Sequence, residues 1–354
     1  MILVRRRAGG LPTGPARVAR TRTHELTTGD RILQWVSGVA AVVPLAGIIF
    51  ITLILVIWAI PAIIYSGTTF FTSDKFFIGN FYNPDFSVVN GIRAPFGASY
   101  GALTFILGTL ITSLIALVLA VPISVGGVLM LSEWIPRRLE GPLSTFLELL
   151  AGIPSVVFGF WGLEVFGPAL AQHVYPTLSH LGVILPFFKG AWAYNGQGML
   201  TASLVLTLMI IPIIASTTRQ LVKRVPVLAT EGALALGMTK YEMVRVVTIP
   251  YVRAGIIASA LLGWGRALGE TIAVLMIIGL LNNPPVNIFG TTTTLASAIA
   301  DDLDSALGDG TGMAVRAIAM LGLLLLVMSL LTNLAGRLLV RRISSDALPV
   351  GRGV

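Results

Sequence analysis

Six stretches of this chain, at about 36–65, 101–131, 143–171, 199–221, 252–281 and 313–340, are apolar and long. Each is near or above the roughly 20 residues that a helix needs to cross a bilayer. No other feature constrains the fold as strongly. Inside hydrocarbon every backbone polar group must be satisfied within the structure, which leaves helices or closed barrels. Runs of this length read as helices, so the fold class is an all-α integral membrane protein with six transmembrane helices. Composition agrees, with 11% charged residues against about 25% in an ordinary soluble domain. Pro44, Pro61, Pro122, Pro154, Pro168 and Pro212 fall inside the runs beside many glycines. Such residues favour kinked, closely packed helices and suit a pore that changes shape.

Charge sets the orientation. With a cytoplasmic N-terminus, the inner segments hold 19 of the 24 basic residues, and the outer segments 66–100, 172–198 and 282–312 hold only Lys75, Arg93 and Lys189. This positive-inside asymmetry puts both termini in the cytoplasm of a multi-pass protein of the cell (inner) membrane. Residues 1–34 form a basic cytoplasmic segment attracted to anionic lipid, with no base-stacking aromatics that would suggest nucleic acid. A short amphipathic helix is expected near residue 30, with Ile32, Leu33, Trp35 and Val36 toward lipid. No cleavable signal peptide is expected, because no apolar core follows Arg5-Arg6-Arg7 before residue 35. Residues 35–342 are the six-helix domain, and 343–354 a cytoplasmic tail. The aromatic loop 66–100 is expected to fold against the membrane surface, and the loop 282–312 carries Asp301, Asp302, Asp304 and Asp309.

The loop 222–250 falls on the cytoplasmic side. Pro226 suits the first helical position, the helix Val227 to Leu236 follows, and Gly237 fits the left-handed residue that ends a helix. Thr239 and Glu242 have capping-box spacing, so a second short helix starts there, and Pro250 is expected to stop it. The product is a compact knob flanked by Lys223, Arg224, Arg245 and Arg253.

Enzymatic chemistry finds little support. No nucleotide-binding P-loop is present, since none of Lys75, Lys189, Lys223 and Lys240 is followed by Ser or Thr. No cysteine is available for a disulfide or thiolate. His24, His173 and His180 read as surface histidines, so neither a metal nor another cofactor is expected in this chain, and the protein is not expected to be an enzyme.

Buried charge carries more weight. Arg266 and Glu270, four apart in the fifth run, would share one helical face. A charge at mid-membrane costs roughly 2.5–3.5 kcal/mol on insertion scales. Two readings stand together: a self-neutralising ion pair that fixes packing, or a polar element of a pathway where a guanidinium meets a passing oxyanion. Glu148 opens the third run, in either a structural or a functional role, and Glu164 lies deeper.

These segments resemble a known family. Glu231, Ala233, Gly237 and Pro250 match the coupling loop of ABC importer permeases, although Gly232 stands where that family usually has Ala. Glu148-Leu-Leu-Ala-Gly-Ile-Pro-Ser155 through Gly162, and Gly265-Arg-Ala-Leu-Gly-Glu-Thr-Ile-Ala-Val274, are similar to stretches of the phosphate-specific ABC importer permeases of the PstC type. The Ala-Val ending favours that type over its sister permease, PstA. Tyr100-Gly101 and Gly108 to Ser113 fit as well, and the likeness covers roughly 95–340. The extended basic N-terminus departs from it. The resemblance implies a type I importer permease fold and a membrane subunit that translocates inorganic phosphate. It implies four further components: a PstA-like permease, two ATPase subunits that bind ATP and Mg, and an extracytoplasmic phosphate-binding protein. Arg266, Glu270, Glu148, Ser155 and Thr271 are then the expected translocation residues, and Glu231, Ala233, Gly237 and Pro250 the ATPase-coupling ones. A permease for sulfate or molybdate, or a secondary transporter without an ATPase, is the alternative.

Overall fold

The computed structural model describes residues 28–83 and 85–345. The basic segment up to residue 27 and the tail from 346 lie outside them. Two compact units divide at Ile51. Helix α1 (Thr28–Ser66) is continuous, so Ile32, Leu33, Trp35 and Val36 belong to it and form no separate short helix. All four side chains are exposed.

The aromatic loop folds as β-structure. Strand β1 (Phe76–Phe77) pairs antiparallel with β4 (Ser99–Tyr100), and β2 (Phe86–Val89) with β3 (Ile92–Pro95). Asn90 and Gly91 both take positive φ, 51° and 77°, the geometry for which Asn-Gly is favoured in a two-residue hairpin turn. Phe70, Phe76 and Tyr100 are buried in one cluster with Ala62, Phe105 and Leu321. The loop therefore packs onto helix ends of its own chain.

Helix α2 (Leu103–Glu133) is the next span. The third apolar run is not one rod. Helix α3 (Arg137–Ala151) and α4 (Ser155–Val183) meet at 90°. Pro154 explains the break: it lacks an N–H and steers Ile153 away from helical dihedrals. Among the described residues, five helices are long and apolar enough to cross a membrane, six if this bent pair counts as one.

Helix α5 (Met199–Val222) is the central span, with 72% of its apolar window buried. Small residues let its neighbours approach, and polar side chains stitch them together. Ala116, Ala120 and Ala202 are buried with Leu206 and Ile210. Ser124 Oγ donates to the Ile211 carbonyl at 3.2 Å.

Helices α6 (Val227–Ala235) and α7 (Lys240–Met243) form the knob expected in the loop 222–250, followed by a π turn (Val244–Thr248) and α8 (Ile249–Leu268). Pro250 does not stop the helix, contrary to expectation. Lys240–Leu268 runs on as a single candidate span, with Pro250 at the second position of α8. In the π turn the Ile249 amide bonds to the Val244 carbonyl, one residue further back than in an α-helix. That wider winding just before the proline eases the clash its ring would otherwise make.

The fifth run is also interrupted. Helix α8 ends at Leu268, and α9 (Ile272–Ile277) begins after Gly269, Glu270 and Thr271. Helix α10 (Leu295–Leu307) and the last span α11 (Met313–Ser345) follow.

Candidate functional site

The knob and the interrupted spans hold the expected site residues. At the knob, α6 ends in a Schellman motif. The Gly237 amide bonds to the Leu234 carbonyl at 3.0 Å and the Met238 amide to the Ala233 carbonyl at 3.2 Å. Gly237 sits at φ 88°, the left-handed position this motif requires. Thr239 and Glu242 close the predicted capping box. Pro226 is the N-cap, one residue outside its expected place.

The knob has two faces. Ala233 is buried with Val128, Leu129, Val222 and Met243, which seats α6 on the ends of α2 and α5. Lys240 Nζ donates to the Glu133 carbonyl at 3.1 Å and ties α7 to the end of α2. The outer face carries exposed Glu231 and a set of uncovered apolar side chains. Leu228 is 84% exposed and Leu236 82%, with Val227 and Tyr241 also exposed. Large apolar side chains gathered outside a knob mark a surface for another protein. Of the four expected coupling residues, Glu231, Ala233 and Gly237 share this knob, and Pro250 stands below it inside α8.

The second place is the break in the fifth run. Arg266 lies in the last turn of α8, and Glu270 lies beyond the helix end. The two therefore do not share a helical face. No ion pair joins them; Glu140 instead bridges to Arg219 and Lys223. The other faces of α8 are taken. A Cβ on Gly263 would approach Ile214 to 2.9 Å, and Gly336 would likewise meet Leu261 at 2.6 Å. Trp264 Nε1 donates to Ser113 Oγ at 3.0 Å. What stays open is the stripe of Ala258, Leu262, Arg266 and Gly269. A guanidinium on an uncovered intramembrane stripe calls for a protein or water neighbour, since lipid offers it no partner.

Helix α4 packs beside α9 in parallel. A Cβ on Gly159 would come within 2.9 Å of Ala273 Cα, and one on Gly162 within 2.6 Å of Ile277. Ser155, the first residue of α4, stands one turn before Gly159. Thr271 Oγ1 donates to the Gly269 carbonyl at 3.2 Å. The segments that follow the two interruptions thus start side by side. Non-helical backbone at membrane depth is tolerated where protein covers it or a water-filled passage runs along it.

Glu148 opens the third run as expected, but it is exposed and not buried. It lies on exposed α3, before the bend, and lines a cavity of about 90 Å³ with Ser144, Ser216 and Arg219. Glu164 is exposed on α4. The contact that sequence reasoning missed is Glu140 with Arg219, at 2.8 Å. The available signal was an acid opening an amphipathic helix opposite an inner basic cluster. On α10, between the spans, burial pushes the Asp302 carboxyl up to about 6, and the charge of Asp301 adds to the shift.

Residues 123–345 match the family described as binding-protein-dependent transport system inner membrane component. Over 337 residues the chain is 48% identical to "Phosphate transport system permease protein PstC 1" of Mycobacterium tuberculosis, covering 94% of this chain and 99% of that protein. It is 43% identical over 252 residues to "Phosphate transport system permease protein PstC" of Haemophilus influenzae, covering 70% and 78%. Among solved structures it is similar to the inward-facing MetNI methionine ABC transporter. That likeness has 18% identity, covers 69% of this chain and 94% of that one, and has a TM-score of 0.46.

Proposed function

The chain belongs to the family of binding-protein-dependent transport system inner membrane components, and we propose that it is the phosphate-translocating permease subunit of an ATP-driven importer. One observation carries the reading: 48% identity across 94% of the chain to a phosphate transport system permease protein.

The geometry supports a set of partners. The outer face of the knob, with Leu228, Leu236 and Glu231, is the surface that receives an ATPase subunit. ATP and Mg belong to that partner, and this chain contributes no hydrolysis. The uncovered stripe of α8 faces a second, PstA-like permease across the pathway. Arg266 then borders the passage, with Glu270, Thr271 and Ser155 around the paired helix starts. Glu148 contributes from the inner end through its neighbourhood with Arg219. An extracytoplasmic phosphate-binding protein delivers the anion to the opposite end of the bundle, and both termini lie in the cytoplasm.

The arrangement suits an anion in transit. A fixed guanidinium lowers the barrier for an oxyanion in an apolar setting. Glu270 nearby keeps the anion from binding too firmly to leave.

The test is uptake of labelled phosphate by proteoliposomes holding the full complex, with the binding protein outside and ATP inside. Uptake that needs ATP and is not competed by sulfate or molybdate is expected. Uptake of phosphate without ATP would overturn the coupling, and preferential uptake of another oxyanion would overturn the substrate. Orientation is checked in intact cells with an impermeant thiol reagent: Asn195→Cys should label from outside and Leu228→Cys should not.

A further inference from the structure

At the end of the bundle opposite the knob, a groove of about 580 Å³ lies between the end of α1, the β2–β3 hairpin and the start of α11. Its apolar lining includes Pro61, Ile64 and Ile92, and its polar lining Thr311, Arg93 and Arg316. The two arginines are out of keeping with their surroundings. The outer segments of this chain are nearly free of basic residues, yet one of the three they hold stands in the same groove as Arg316.

Neither guanidinium stands in an ion pair with a carboxylate among the described residues. The nearby acid on the same segment is already committed. Asp309 accepts from the Thr311 amide at 2.8 Å, from the Thr311 hydroxyl and from the Ala314 amide at 2.9 Å. Arg316 also sits in the first turn of α11, where the helix dipole disfavours a cation. Both placements leave positive charge uncompensated, and the hairpin is held rigidly. The Asn-Gly turn fixes the strands that carry Arg93, and Asn90 Nδ2 ties that hairpin to the Ile64 carbonyl at 2.7 Å.

We infer that this groove binds the phosphate group of an anionic phospholipid from the outer leaflet, with Arg93 and Arg316 as the anion ligands and Pro61, Ile64 and Ile92 against the lipid's apolar part. Two guanidiniums present planar forks that match phosphate oxygens. The apolar wall at the end of a membrane span decides for a lipid over free phosphate, which would gain nothing from it. The site is separate from the α8 stripe and does not depend on the transported substrate.

The test uses the purified complex in detergent with equal phosphatidylglycerol and phosphatidylcholine, and counts retained lipids by native mass spectrometry. The wild type is expected to hold at least one more phosphatidylglycerol than the double variant Arg93→Gln with Arg316→Gln, with phosphatidylcholine unchanged. Each single variant should weaken phosphatidylglycerol by about tenfold, the scale of one lost charge-assisted hydrogen bond. The pair Arg93→Lys with Arg316→Lys should fall between, which separates lost charge from misfolding, and size-exclusion profiles should match throughout. Equal phosphatidylglycerol retention in wild type and double variant overturns the site. Displacement of that lipid by millimolar inorganic phosphate overturns the lipid as occupant and assigns the groove to the free anion.

Discussion

Arg219, in the last turn of α5, donates from Nη2 to Glu140 Oε1 at 2.8 Å, across 79 residues of chain. Lys223 Nζ stands 3.6 Å from the same oxygen. Glu140 lies in the first turn of α3, so one carboxylate clamps the bent helix to the central span. Partial burial, with side chains 19% and 27% exposed, raises this pair above an ordinary surface bridge.

Glu140→Gln should release α3 from α5 and lower stability by about 1 kcal/mol, the upper range for exposed pairs. The pair Ser144→Cys with Ser216→Cys, whose parent residues line one cavity, reports the release. Disulfide yield should drop in the Glu140→Gln background and recover when Glu140→Arg is combined with Arg219→Glu. Unchanged yield in all backgrounds would show that the clamp does not hold α3.

The two glycines of the knob should respond in opposite ways. Gly237 has φ 88°, and a methyl group added to its Cα would meet no atom within 4 Å, so the cost of a side chain there is conformational alone. Gly237→Val should lose about 1–2 kcal/mol and release the ATPase on purification. Gly232 has ordinary helical geometry and equally open space. Gly232→Ala should keep transport and gain roughly 0.5–1 kcal/mol of helix stability. ATPase retention and uptake, measured together, check both.

Arg266 and Glu270 form no ion pair, so removing both charges should not rescue removal of one. Arg266→Gln should reduce uptake by roughly 10- to 100-fold, the range of a lost charge-assisted hydrogen bond. Arg266→Gln with Glu270→Gln should transport no better at matched complex levels. Near-normal uptake by the double variant would remove Arg266 from the pathway.

Asp302 makes stability pH-dependent. Its folded-state carboxyl is pushed up to about 6, above its ordinary 3.8, so the folded protein holds that proton more firmly than the unfolded chain. Its contribution to stability is therefore greatest at low pH, is lost as pH rises from 3.8 toward 6, and stays lost above. Asp302→Asn should raise the melting temperature at neutral pH and change it little near the acid end of that window. An equal gain at both pH values would refute the titration.

Much of this protein was determined by the sequence itself. Long apolar runs have one economical solution in hydrocarbon, the helix, so the spans were legible from composition along the chain. The knob was equally legible. Gly237, Thr239 and Glu242 act through hydrogen bonds to residues within five positions, and such caps need no distant partner. Hydropathy counts residues but not their path, and there the tertiary structure decided. A helix through Gly269-Glu270-Thr271 and the break that forms there are equally apolar as text. The break stands where α9 packs on Gly159 and Gly162 of α4, more than a hundred residues away. The same holds for Glu140 beside Arg219 and for Arg93 sharing a groove with Arg316. Each pair is assembled by helices crossing at angles that local sequence does not encode, because packing of surfaces sets them.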